Sequence, residues 1–365
     1  MNGEEGILRY RGHEIEDLAG NTTYLDVAHL LLRKRLPTDD ERLTWESEIH
    51  RHRRLDPDLL NVIESFPRDA HTMGALVSVT GALSTLYDDI REVIRSEDLV
   101  RHIDRVIGNV SAAAAAIYRH SQGLARIDPS PGSTFIEDVA RSLFGERGED
   151  PVVVRALDTL FILHADHEQN CSANVMRSIA SGGADPYTAV SGAIGALYGP
   201  SHGGANEAVL RMLAEIGSVD RVRDYVEGAK RKEYRLMGVG HPVYRRYDPR
   251  AAIIKRVANE VFETTGPNEM IDIALEVERV VLEDDYFVSR QLHPNVDFYS
   301  GLIYQSLGLP LDMMTVMFVI PRLAGWLAHW NELLSDEDFT ITRPRQIYVG
   351  QVRNKKPTPI EAMSS

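Results

Sequence analysis

Apolar residues along this chain recur mostly at intervals of three and four, the spacing that gathers them on one face of an α-helix. Leu25, Ala28, Leu31 and Leu32 repeat this way, as do Ile271, Ala274, Val277 and Val281, and both sets read as core-facing stripes. Helix starts are marked as clearly. Thr23 stands three residues before Asp26, and Thr38, just after Pro37, stands three before Glu41. In each pair a hydroxyl can cap free N–H groups while the acid reaches back, so helices are expected to begin near both. Small residues crowd positions 74–82, 112–116 and 189–196, which would let helix backbones approach closely in a layered interior. The alternation that marks a strand is confined to residues 7–11 and 339–349. The expected fold is all-α and multi-helical, with minor β-strands at its ends.

The richest apolar stretch, residues 313–320, runs into Pro321 and Arg322, short of the ~18 continuous apolar residues of a membrane span. Residues 1–11 carry two glutamates and no apolar signal core, so a place inside the cell, in the cytoplasm, is expected. Composition changes this picture little: 365 residues, 43% hydrophobic and 26% charged, describe a folded chain of about two domains. Charge changes it more. With 40 basic against 54 acidic residues, a net −14, no nonspecific hold on nucleic acid or an anionic membrane is expected. An anionic ligand would have to meet a local basic pocket. Cys171 is the sole cysteine, so no intramolecular disulfide can form and a reducing compartment is the natural one.

Three segments concentrate the candidate chemistry. Residues 199–206 read Gly-Pro-Ser-His-Gly-Gly-Ala-Asn and open the amphipathic run 207–216, placing His202 near a helix start after a Ser201 cap signal. A helix N-terminus disfavours imidazolium, so His202 is either a neutral hydrogen-bond donor to a developing oxyanion or a histidine packed at a helix start. Residues 238–250 carry Gly238, Gly240, His241 and then Asp248-Pro249-Arg250, a cap signal that puts Arg250 in a first helical turn. The macrodipole repels a cation there, which suggests that an anion is drawn in; the bland reading is a glycine-rich loop with a solvated basic run. In residues 293–301, Asp297 lies between Val296 and Phe298. It can cap the following helix, or serve as a general base made stronger by apolar surroundings.

Taken together and in this order, these segments resemble the citrate synthase family. Supporting matches are Gly3-Glu4-Glu5-Gly6 through Gly12, His164-Ala165-Asp166-His167-Glu168, Arg322-Leu323-Ala324-Gly325-Trp326 and Arg343-Pro344-Arg345. The resemblance implies a homodimer with a large helical domain, residues 1–202 and 303–365, and a small one, residues 203–302, that closes over the site. It implies an acyltransferase that condenses acetyl-CoA with oxaloacetate and hydrolyses the product to citrate and CoA. Asp297 would remove the methyl proton, His202 would bind the thioester oxygen, and His241 would polarise and protonate the oxaloacetate carbonyl. His167, Arg250, Arg322 and, from the neighbouring subunit, Arg343 would hold carboxylates. Leu236, Met237, Gly238, Val239, Gly240 and, less directly, Arg245 would contact CoA. No permanent cofactor and no metal is implied; the CoA thioester is a co-substrate. Rival readings are a 2-methylcitrate synthase using propionyl-CoA, which one methylene separates by only ~1–3 kcal/mol, a metal cluster of His164, His167 and Glu168, and an inactive helical interaction protein.

Overall fold

The computed structural model describes residues 2–87, 89, 99–240, 244 and 248–351. Among them are seventeen α-helices and one short antiparallel ribbon, Arg9–Tyr10 against His13–Glu14, so the chain is all-α as its periodicity predicts. Both predicted capping boxes form: Thr23 opens the helix Tyr24–Arg33 and Thr38 opens Asp39–His52. A third box of the same kind, Thr134 with Glu137, opens Phe135–Phe144. The two apolar stripes are buried, on Tyr24–Arg33 and Glu269–Glu283.

The strand expected at residues 339–349 is not formed. That segment is extended but exposed, with Ile347 89% and Val349 93% accessible, and no second strand faces it among the described residues. Alternation supplies a strand's two faces, but a ladder also needs a partner for its N–H and C=O groups. The expectation at the other end is met in part by the ribbon at Arg9–Tyr10.

Small residues act as the pattern suggests. The helix Pro186–Tyr198 packs on both Thr72–Ala82 and Cys171–Ala180. A Cβ added at Gly192 would come within 2.2 Å of Ile179 Cδ1 and would require that side chain to turn aside, while one at Gly81 would meet Ser191 Oγ at 3.4 Å, close to ordinary contact. The helices Ala205–Ile216, Pro249–Thr265, Glu269–Glu283 and Val296–Ser306 pack on one another, and Pro249–Thr265 also lies on Pro151–His164.

The helix Met314–Leu334 runs through the middle of these layers and buries Arg322, Trp326 and Trp330. Taken with the preceding turn, residues Leu311–Leu334 are long and apolar enough to cross a membrane, yet 83% of the qualifying window is buried inside the fold. Counting continuous apolar residues misses this helix because Pro321 and Arg322 interrupt the run. Beside Pro321 the backbone makes hydrogen bonds outside the helix. The Tyr24 hydroxyl donates to the carbonyl region of Ile320 and Pro321, at 3.3 and 3.1 Å, and the Gly325 N–H donates to the Ala165 carbonyl at 3.1 Å. That second bond docks the turn after Pro151–His164 directly onto the central helix. The Tyr10 hydroxyl fixes the same turn from the ribbon side, donating to the Asp166 carbonyl at 2.8 Å.

At Gly325 a Cβ would sit 2.5 Å from the Ala165 carbonyl oxygen and 2.6 Å from the Asp166 carboxylate. Gly325→Ala is therefore expected to cost about 1–3 kcal/mol by forced displacement, read as a lower urea midpoint. Oxaloacetate binding should weaken alongside it, because the displaced turn leads directly to His167.

Candidate active site

A cavity of about 520 Å³ opens between the central helix and the 205–302 helices, within the usual range for a small-molecule site. His167, His202, Leu236, Met237, Gly238, Val239, Gly240, Arg250, Asp297 and Arg322 all line it. Residues read from five distant segments thus meet at one place. His241 and Arg245 lie outside the described residues.

Two of the segments are zipped together by backbone. The Asn295 N–H donates to the Gly238 carbonyl at 2.9 Å, the Gly240 N–H donates to the His293 carbonyl at 2.8 Å, and Val239 pairs with Pro294. The Asn295 side-chain amide closes the set by donating to the Gly240 carbonyl at 2.8 Å. Glycine is needed at position 238 on two counts: its φ is +73°, and a Cβ would lie 2.7 Å from Val209 and 3.0 Å from Phe298.

Asn295, not Asp297, caps the helix Val296–Ser306, its side chain accepting from the Asp297 N–H at 3.0 Å. The capping alternative for Asp297 therefore falls away, and its carboxylate makes no hydrogen bond among the described residues. Burial pushes its pKa up to about 6, with the Arg250 charge lowering it, Asp248 raising it and Arg322 lowering it. Desolvation wins, so the group is a stronger base than an exposed aspartate and still mostly ionised at neutral pH.

His202 differs from the sequence reading in its helix. The following helix, Ala205–Ile216, has Gly204 as its N-cap, without a side-chain cap, and Gly203 and Gly204 separate it from His202; Ser201 is not its cap. The ring instead reaches the N-terminus of another helix, Cys171–Ala180. There Nε2 accepts from the Ser172 backbone N–H at 3.2 Å and lies 2.9 Å from Ser172 Oγ. A nitrogen that accepts from N–H carries a lone pair, so the ring is protonated at Nδ1 and neutral. Burial, then the Arg322 charge, holds its pKa below the ordinary histidine value.

The cations are held differently from one another. Arg250 stands in the first turn of Pro249–Thr265 as expected, but its own cap supplies an anion: Nε and Nη2 donate to the two Asp248 carboxylate oxygens at 3.0 and 2.9 Å. The inference that an outside anion must balance Arg250 is corrected to that extent. Arg322 is 2% exposed and far less satisfied. Its Nε donates to the His164 carbonyl at 2.7 Å, its guanidinium lies 4.5 Å from the Phe318 ring centre, and its buried Nη2 has no hydrogen-bond partner. Burial lowers its pKa to about 10 against the raising effect of Asp166. His167 Nε2 lies 3.2 Å from the Tyr244 hydroxyl. Arg343 is exposed on the extended segment and does not line this chain's cavity.

The metal-cluster rival has no geometric basis among the described residues, where no three histidine, cysteine or acidic groups converge. His164 points away from His167: its Nδ1 bonds the Leu160 carbonyl at 2.8 Å, its ring packs on Phe318, and burial pushes its pKa down to about 3. Several lining residues escaped the sequence reading, among them Asn170, Arg235 and Phe318. Asn170 caps the helix that holds His202, Arg235 immediately precedes the 236–240 loop, and Phe318 lies one helical turn before Arg322. The i, i+4 spacing of Phe318 and Arg322 was the available signal for the last.

The comparisons with known proteins agree with the cleft. The family model described as citrate synthase, C-terminal domain, matches residues 1–345. The glyoxysomal citrate synthase of Cucurbita maxima is 46% identical over 362 residues, spanning 96% of this chain and 70% of that protein. The crystal structure of citrate synthase from Pyrobaculum aerophilum superposes with a TM-score of 0.92 at 35% identity, covering 99% of this chain and 91% of that one. A ternary complex of citrate synthase from Thermoplasma acidophilum with carboxymethyl coenzyme A and oxaloacetate superposes at 0.90 with 29% identity, covering 99% and 94%. By fold, by sequence along its length and by the residues gathered in one cleft, this chain belongs to the citrate synthase family of acyltransferases.

Proposed function

We propose that the cleft joins the methyl carbon of acetyl-CoA to the ketone carbon of oxaloacetate and then hydrolyses the thioester, releasing citrate and CoA. The observation that carries this reading is the opening, onto one cavity, of a carboxylate strengthened by burial and a histidine whose Nε2 lone pair is already taken. Asp297 takes a methyl proton, and the electron pair moves onto the thioester oxygen. The His202 Nδ1–H donates to that oxygen, a donor aimed where charge develops. The resulting enolate carbon attacks the ketone while His241, by resemblance, gives its proton to the new alkoxide. A base contributes ~10²–10⁴ and an oxyanion donor ~10²–10³ in rate, so neither suffices alone for a carbon acid this weak.

The two oxaloacetate carboxylates are assigned to Arg322 and Arg250, with His167 beside them and Arg343 arriving from the second subunit of a homodimer. Arg322 supports this assignment best, since a buried guanidinium with an unfilled Nη2 favours a carboxylate strongly. Residues 236–240 are assigned to the CoA adenine and Arg245 to a phosphate; closure of residues 203–302 on the remainder would exclude water. The Thermoplasma complex, solved with oxaloacetate and a CoA analogue, supports these two as ligands, with no permanent cofactor in the scheme. That relatives carry the name citrate synthase supports the reading with acetyl-CoA over the one with propionyl-CoA. A reducing compartment such as the cytoplasm suits the exposed, unpaired Cys171; family membership does not choose it, because one relative is glyoxysomal.

The direct test compares acetyl-CoA with propionyl-CoA by kcat/KM at saturating oxaloacetate; acetyl-CoA is expected to be preferred, and the reverse order would move the assignment to 2-methylcitrate synthesis.

Asp297→Asn should lower kcat by at least ~10²-fold with oxaloacetate affinity nearly unchanged. In the wild type, kcat/KM for the acyl-CoA should fall about tenfold per pH unit below about 6, where the base is protonated. Stability should move the opposite way. The folded chain holds this proton more tightly than the unfolded chain, so ionising Asp297 costs stability as pH rises from about 4 through about 6. Asp297→Asn removes that cost and should unfold at a higher temperature than wild type at pH 7.5, with the difference gone at pH 4.

Inactive Arg343→Ala and Asp297→Asn proteins, mixed equally, dissociated and refolded together, should recover roughly a quarter of wild-type activity. Half the dimers are mixed, and each mixed dimer has one intact site of two if Arg343 serves the neighbouring subunit. No recovery in verified mixed dimers would assign Arg343 to its own chain.

A further inference from the structure

The turn that carries His202 is held at two places. Its ring is tied at Nε2 to the start of Cys171–Ala180, through the Ser172 N–H at 3.2 Å. Its backbone is tied to the central helix. Thr315, the second residue of Met314–Leu334 and only 3% exposed, donates its hydroxyl to the Gly203 carbonyl at 3.1 Å, with Glu207 Oε1 3.4 Å away. We propose that Thr315 is a positioning residue for the condensation: by anchoring Gly203 it fixes the direction in which the neighbouring His202 presents its Nδ1–H to the thioester oxygen.

A ring held at Nε2 alone can still swing about that atom, and Nδ1 is what moves. Where Nδ1 comes to rest depends on where the His202 backbone stands. The other backbone bonds of this turn are local. The His202 and Gly203 N–H groups both donate to the Gly199 carbonyl, at 3.0 and 3.1 Å, and the Ala208 N–H donates to the Gly204 carbonyl at 3.0 Å. These shape the turn without attaching it to a second element. The Gly203 carbonyl lies just before the N-cap of Ala205–Ile216, and no backbone N–H among the described residues donates to it, which leaves it to Thr315. A carbonyl can only accept, so the hydroxyl is the donor. Glu207, the other acceptor in reach, is the third residue of Ala205–Ile216, so either bond joins the central helix to the start of that helix. Packing acts at the same point: a Cβ at Gly203 would lie 2.1 Å from the Leu197 carbonyl oxygen and 2.8 Å from Thr315 Cγ2, so residue 203 has to be glycine for the turn to come this close. Thr315 stands two turns before Arg322, and one helix would thus set the places of both substrates.

This inference rests on the reading of His202 as the thioester donor, and its first test is independent of turnover. Thr315→Val keeps the side-chain shape and removes the hydroxyl, whereas Thr315→Ser keeps the hydroxyl and removes the methyl. With oxaloacetate present, the probe is carboxymethyl coenzyme A, the ligand of the Thermoplasma complex, whose carboxylate brings negative charge to the acyl end. Thr315→Val should weaken its binding roughly tenfold, as slight misplacement of an oriented donor does, and leave coenzyme A and oxaloacetate within about twofold. The fall in kcat should be of similar size, and Thr315→Ser should bring both quantities back near wild type. Should Thr315→Val fold poorly, Thr315→Ala carries the same expectation, because it too lacks the hydroxyl. Unchanged affinity for carboxymethyl coenzyme A in Thr315→Val, equal weakening of all three ligands, or a Thr315→Ser enzyme as impaired as Thr315→Val would overturn the anchor. By contrast, full activity in His202→Ala would overturn the thioester reading itself.

Discussion

A guanidinium buried in the middle of an apolar helix is the constraint around which this molecule is arranged. Taking such a charge out of water costs several kcal/mol unless its donors are filled. At Arg322 the fold fills them only in part: a carbonyl takes Nε, the Phe318 face takes the flank, and the buried Nη2 has no hydrogen-bond partner. Much of the surrounding architecture serves that carbonyl. It belongs to His164, the last residue of its helix, and the turn beyond it is pinned by Tyr10 from the ribbon and by Gly325 from the central helix.

The cleft is then a question of charge balance in a weakly screened space. Arg250 is neutralised in place by Asp248, so it adds a shaped donor edge more than a net charge. Arg322 and Asp297 are each partly uncompensated, and they perturb each other in the expected directions: the arginine lowers the aspartate's pKa, and the aspartate raises the arginine's. A dianionic substrate bound at Arg322 would withdraw that relief from Asp297 and strengthen it as a base. Order of binding and readiness for chemistry would then be linked through electrostatics alone.

Much of this was legible in the sequence, and the exceptions have physical reasons. Capping boxes at Thr23 and Thr38 depend on four neighbouring residues, so they form wherever the rest of the fold permits. His202, Arg250 and Asp297 stood out through their local motifs, whereas His167, Arg322 and residues 236–240 were reached through the family resemblance. Partnership across the fold was not legible. His202 accepts from a first-turn N–H of a helix thirty residues earlier in the chain, Arg250 is satisfied by the residue read as its cap, and residues 339–349 have strand alternation with no strand to join among the described residues. Each error came from assigning a residue to its nearest element in sequence. The central helix was cut short for a related reason, since a run of apolar residues cannot reveal that Tyr24 and Ala165 stand ready to satisfy the backbone around Pro321.

The backbone zipper between residues 238–240 and 293–295 has a consequence for how such an enzyme can change. The loop assigned to the coenzyme and the helix that carries Asp297 share the same hydrogen bonds, so neither can shift without moving the other. Loop rearrangement, the common evolutionary route to a new substrate, would be closed here under the proposed assignment, because a displaced 238–240 loop would drag Asp297 out of line with the carbon it is proposed to deprotonate. Acyl preference in this scaffold is left to drift through side-chain volume at the cavity wall, over a backbone that stays fixed.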